Sequence, residues 1–262
     1  MSVSETREAA GRRQLWPPVI LLGLAALGWW WSAVSAGDMA AMDTASEPAM
    51  PMPTMPMDPH PTMSFVAFLL AWVAMMAAMM FPAVTPVVRL YSRAAARRQA
   101  APTAFFVAGY LVLWTLVGIP AYFAWRGVDE PLMTGSPWAG RVAGAVAVAA
   151  ALYQLTPLKT VCLRHCRSPM SFFLRHGKRL DRPGGAFVAG ARHGIFCVGC
   201  CWLLMALLFV AGVMNLLWIA ILTLVVLIEK LLPRGEWAGR GIGVILIAWG
   251  AIILSSALGN GS

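Results

Sequence analysis

A chain of 262 residues that is 60% hydrophobic and only 12% charged carries more apolar surface than a soluble domain of its size can bury. Its formal charge is +9, but the basic residues gather in alternate segments between apolar runs, which argues against the continuous basic face of a nucleic-acid binder. Five cysteines, an odd number without the spacing of a disulfide framework, exclude a small secreted scaffold.

Residues 1–14 are polar and basic, with Arg7, Arg12 and Arg13. An apolar run over 15–34 follows and carries Trp29, Trp30 and Trp31 near its far end, where an aromatic belt meets a membrane interface. Val34-Ser35-Ala36 also resembles a signal-peptidase site, so 1–36 is either a retained first helix or a cleaved leader. Residues 37–64 form a Met- and Pro-rich linker without Lys or Arg. Its prolines keep it extended. Met50, Met52, Met55, Met57 and His60 make it a candidate capture segment for a soft ion outside the membrane.

The second run, 65–88, contains Met75, Met76, Met79 and Met80, paired four apart so that two sulfurs share a face, with Pro82 just beyond. A basic segment with Arg89, Arg93, Arg97 and Arg98 leads to the third run, 103–125, and the 126–137 loop to the fourth, 138–155. The segment 156–185 is the most basic and also holds Cys162, His165 and Cys166, a candidate secondary or pathway site. The fifth run, 186–211, carries His193, Cys197, Cys200, Cys201 and Met205 at spacings of three, four, seven and eight, one helical face. The sixth run, 216–232, ends in Glu229-Lys230, and the seventh spans 241–258. An ionisable residue inside a membrane helix is structural glue or part of an ion path, which makes Glu229 a pathway candidate. Lys230 is expected to snorkel to the interface.

The positive-inside rule fixes an expected topology: N-terminus cytoplasmic, Met linker periplasmic, 156–185 a cytoplasmic loop, C-terminus periplasmic. At ~1.5 Å per residue, Met75–Met80 and Cys197–Cys201 then lie about 15–22 Å along their helices, near mid-bilayer in both. The expected fold is an all-α, multi-pass transmembrane bundle of about seven helices, six if the first is removed. Residues 65–262 form its membrane domain.

Four pieces of the chain together resemble a bacterial family of predicted metal-binding integral membrane proteins, domain of unknown function 2182. They are residues 72–82, Trp-Val-Ala-Met-Met-Ala-Ala-Met-Met-Phe-Pro; residues 153–159, Tyr-Gln-Leu-Thr-Pro-Leu-Lys, with Cys162 and 166–169, Cys-Arg-Ser-Pro; Gly194 with 197–205, Cys-Val-Gly-Cys-Cys-Trp-Leu-Leu-Met; and Glu229-Lys230 with Pro233. The resemblance implies metal binding and, in some members, a copper-chaperone role; the location expected for the chain is the bacterial inner membrane. The Met-x-x-x-Met pairing is also similar, over a short stretch, to eukaryotic copper transporters.

Thiols and thioethers select soft ions, so the expected ligand is Cu(I), with silver or zinc as alternatives. The expected ligands are Cys197, Cys200 and Cys201 with Met75, Met76, Met79, Met80, His193 and Met205. Copper trafficking, transport or homeostasis without catalysis follows, with a periplasmic or membrane copper-handling protein as partner. Two alternatives are a membrane thiol-disulfide oxidoreductase using Cys197-x-x-Cys200 or the adjacent Cys200-Cys201 pair and an assembly factor for a membrane metalloenzyme.

Overall fold

The structure, a computed structural model, describes residues 17–30, 33–34, 63–98, 103–133, 137–167, 182–211 and 216–259. These form eight helices and no strand: α1 (Pro17–Trp30), α2 (Phe65–Arg98), α3 (Thr103–Met133), α4 (Pro137–Leu155), α5 (Pro157–Arg167), α6 (Pro183–Ala211), α7 (Leu216–Leu231) and α8 (Gly235–Gly259). Each of the seven apolar runs coincides with a helix, and α5 is an eighth. Met50, Met52, Met55, Met57 and His60 lie outside the described residues.

Four helices, α2, α3, α6 and α8, are long and apolar enough to cross a membrane, and α4 with α5 passes the same test as one span bent by 68°. Seven full spans were expected. Among the described residues the difference lies in α1, whose described part is shorter than a span, and in α7, whose 16 residues reach only about 24 Å against a hydrocarbon core of about 30 Å. α2 runs on through Pro82 and Pro86, so neither proline ends it.

Small residues set the helix pairs. α3 packs most closely on α6, and α4 on α8. A Cβ at Gly109 would collide with the Phe187 carbonyl, and one at Gly190 with the Phe106 carbonyl, so α3 and α6 touch backbone to backbone. Ala147, Ala150 and Ala151 of α4 are fully buried, and Gly243 and Gly250 of α8 lie against this face. Close approach through Gly and Ala is how helices associate where lipid gives apolar side chains no reason to leave it. The outer faces carry exposed Val66, Leu70, Leu116, Phe123, Ile195, Leu224 and Ile252, an extended apolar surface of the kind a bilayer could cover.

The α4–α5 elbow has a local cause. Thr156 caps α5 with its hydroxyl, which accepts from the Lys159 amide at 3.3 Å, and Pro157 takes the first helical position, where a missing N–H costs nothing. The same hydroxyl donates to the Tyr153 carbonyl at 2.7 Å and so closes the end of α4. α5 then packs along α6. The Tyr153 hydroxyl donates to the Gly199 carbonyl, and the Arg167 guanidinium to the Leu232 carbonyl beyond α7.

Candidate metal centre

The α3–α6 contact and the elbow bring the sulfur residues together. Cys197, Cys200 and Cys201 of α6 are buried, and so is Cys166 of α5. The Cys166 thiol lies close enough to those of Cys197 and Cys200 to interact with them electrostatically, and Cys201 to the same two. Four thiols from two helices therefore share one place, and all are free. The sequence reading set Cys162 and Cys166 apart, on a loop below the thiol helix. The bent span instead carries Cys166 into the thiol group, because an 11-residue helix anchored by Thr156 lies back against α6. Cys162 is half-buried and faces Gly199, where an added Cβ would stand 2.9 Å from its Sγ. His165 is exposed, stacked on Phe196 at 4.7 Å.

The thioethers arrive from α2. Met76, Met79 and Met80 are buried, while Met75 is half-buried. α2 meets α6 where Trp72 stacks on Phe209 at 6.0 Å. Deeper in, a residue of α7 joins them: Lys230 Nζ lies 3.0 Å from Cys197 Sγ and 3.5 Å from Met80 Sδ. Lys230 was expected at the interface. It is buried instead, its stem turned inward to Cys197 and Met80, although Leu231 and Leu232 just after it are exposed.

The remaining walls are polar at chosen points. The Tyr110 hydroxyl of α3 lies 3.1 Å from Cys197 Sγ. His193 is buried one turn before Cys197, with its ring centroid 6.0 Å from those of Phe106 and Tyr110, and its Nε2 has no hydrogen-bond partner among the described residues. A buried ring nitrogen without a partner calls for an explanation. Met205 is buried one turn beyond Cys201 in the same core.

Glu229 stands in a separate pairing. Lys159 Nζ lies 2.7 Å from both of its carboxylate oxygens, and Gln154 Nε2 donates to Oε1 at 2.8 Å. Gly239 of α8 leaves room for the pair, since a Cβ there would stand 3.1 Å from Oε1. Lys230, Tyr110, Lys159 and Gln154 were not singled out as site residues in the sequence. The available signal was the Glu229-Lys230 adjacency: neighbours on a helix point about 100° apart, so two buried charges there need two different partners.

Chemically this is a water-poor nest of soft donors beside one ammonium. It is not posed as a cage: among the described residues no three His, Cys, Asp or Glu side chains are set to hold a metal ion. Cys200 and Cys201 both donate to the Cys197 carbonyl at 3.0 Å, so their thiols point along their own helix. Rotation about χ1, a move between staggered wells, is what turning them inward requires.

No curated protein and no solved structure matches the chain. Residues 69–253, which contain every sulfur and polar residue of this centre, match the family PpoB2, described as copper chaperone. The chain therefore belongs to the PpoB2 copper-chaperone family.

Proposed function

We propose that this chain is an integral protein of the bacterial inner membrane that takes up Cu(I) in its buried sulfur nest and hands it on, without catalysing a reaction. The observation that carries the reading is the meeting of four buried thiols from α5 and α6, with the Met80 thioether joined to Cys197 through Lys230. Thiolate and thioether donors in a dry site suit a closed-shell monovalent ion, and exclusion of water suits an ion that oxidises readily. Cys197, Cys200, Cys201 and Cys166 are the proposed thiol ligands, with Met76, Met79 and Met80 as thioether donors and His193 as a nitrogen donor. Met75 and Met205 extend the sulfur surface, and Glu229 holds the elbow in place rather than conducting ions. Basic residues on alternate segments favour a cytoplasmic N-terminus and a periplasmic C-terminus. The Met linker then serves as the periplasmic capture segment, and the recipient is a periplasmic or membrane copper protein.

Metal analysis of anaerobically purified protein tests this. About one or two Cu(I) per chain are expected, a range that a few sulfur donors support. Cys197→Ser combined with Cys200→Ser is expected to bring copper to background; unchanged stoichiometry refutes the site. A second reading, thiol-disulfide exchange, gains support from the Lys230 ammonium at Cys197, since a nearby cation is what a reactive thiol needs. Alkylation-shift assays in cells separate the two: exchange needs a disulfide that forms and is reduced again, whereas copper handling needs thiols reduced throughout.

A further inference from the structure

Lys230 is buried in the bundle, yet it has no carboxylate partner among the described residues. Glu229 beside it is held by Lys159 and Gln154, and Glu236 is paired with Arg164 near the start of α8. A buried ammonium is costly without a compensating charge or strong acceptors. The acceptors in contact with this one are sulfur: the Cys197 thiol at 3.0 Å and the Met80 thioether at 3.5 Å. A monovalent metal held by that same pair of sulfurs would need the space that Nζ fills. The two cations carry equal charge and cannot occupy that place together.

Resting on the copper reading above, we infer that Lys230 is a resident counter-cation of the sulfur nest, which Cu(I) must displace to bind and which returns to expel it. With Cys197 held as the thiolate by the ammonium, the exchange keeps its charge balanced, one monovalent cation leaving as the other arrives, and each further cysteine that ligates Cu(I) gives up its thiol proton to solvent as the ion enters. The displaced ammonium has a destination. Lys230 lies in the last turn of α7, next to its final residue, where the helix end carries partial negative charge and the following Leu231 and Leu232 are about half exposed. A four-carbon stem reaches that end by the snorkelling rotation typical of lysine. Lys230 thereby sets how tightly the cargo is held and provides a way to release it inside a closed bundle.

Anaerobic competition between the purified full chain and a chromogenic Cu(I) chelator tests this with Lys230→Leu, which removes the charge without adding a soft donor, and Lys230→Arg. Removing the competing charge is expected to tighten Cu(I) binding by about ten-fold or more and to slow transfer to the chelator, while Lys230→Arg stays close to the unsubstituted chain. Equal or weaker binding by Lys230→Leu overturns the inference, because the lysine would then be neutral or helpful to ligation. Where Lys230→Leu does not fold, the unsubstituted chain decides. Labelling of the Lys230 amine by a small acylating reagent, mapped by mass spectrometry, is expected to rise several-fold on Cu(I) loading; unchanged or reduced labelling overturns the inference. An unsubstituted chain that holds no Cu(I) removes the site and the inference together. Copper bound equally by both chains removes the role of Lys230 alone.

Discussion

Lys159 clamps Glu229, its ammonium 2.7 Å from each carboxylate oxygen, with both side chains almost fully buried. The pair ties the first turn of α5 to the last turn of α7, and Gln154 at the end of α4 adds the third bond. Glu229→Gln leaves Lys159 a buried charge without a counter-charge, and the expected loss of stability is about 3–5 kcal/mol. Replacing both, with Lys159→Met and Glu229→Leu, is expected to recover a large part of it, since well-packed apolar residues often match a buried ion pair. Denaturant or thermal unfolding in detergent measures both. A double variant as unstable as the single one would show that the pair does more than balance charge.

Gly190 permits the α3–α6 contact by exposing backbone to the Phe106 carbonyl. Gly190→Ala forces the helices apart and is expected to cost about 1–3 kcal/mol, the range for overpacking. Tyr110 and Cys197 sit on these two helices, so copper affinity should fall with stability. Gly184→Ala is the control, because nothing lies within 4 Å of a Cβ there. Parallel melting curves of the two variants check this, and equal melting temperatures would contradict it.

The two cysteines of α5 should behave differently. Cys166 is buried against Cys197 and Cys200, whereas Cys162 is half-buried against Gly199. Cys166→Ala is expected to weaken Cu(I) binding about 10–100-fold, the scale on which groups supporting a metal site act, and Cys162→Ala to leave it within a few-fold. Chelator competition gives both values. Equal effects would place the metal away from the thiol group.

Met80→Leu separates ligation from packing. Leucine nearly conserves volume, so the stability cost is expected to stay below about 1.5 kcal/mol. Copper affinity should drop about ten-fold, because a soft donor is lost. Unfolding and competition measured on one preparation test the contrast; an unaltered affinity would make Met80 a packing residue only.

Hydrophobic runs were enough to locate seven of the eight described helices, because long apolar stretches bounded by polar or Pro-rich segments favour helices, whose backbone hydrogen bonds are satisfied internally. α5 escaped that reasoning. Its 11 residues include Lys159, Arg164, His165 and Arg167, and read as a basic loop. The overlooked mark was Thr156-Pro157, a capping residue followed by the residue that favours the first helical position. The sulfur stripes on α2 and α6 were visible as periodicity, but their meeting was not, since it depends on which small residues let which helices approach. Lys230 was assigned to the interface on the habit of its residue type. Its side chain turns into the bundle instead, to Cys197 and Met80.

The elbow at Thr156 makes the interval to Cys166 a fixed count. Each residue added or removed within α5 before Cys166 would swing that thiol about 100° around the helix axis, out of the sulfur nest. Length variation along this stretch is consequently far more damaging than substitution, and a chain engineered to tolerate insertions has to place them after Arg167, where the register no longer matters to the thiol.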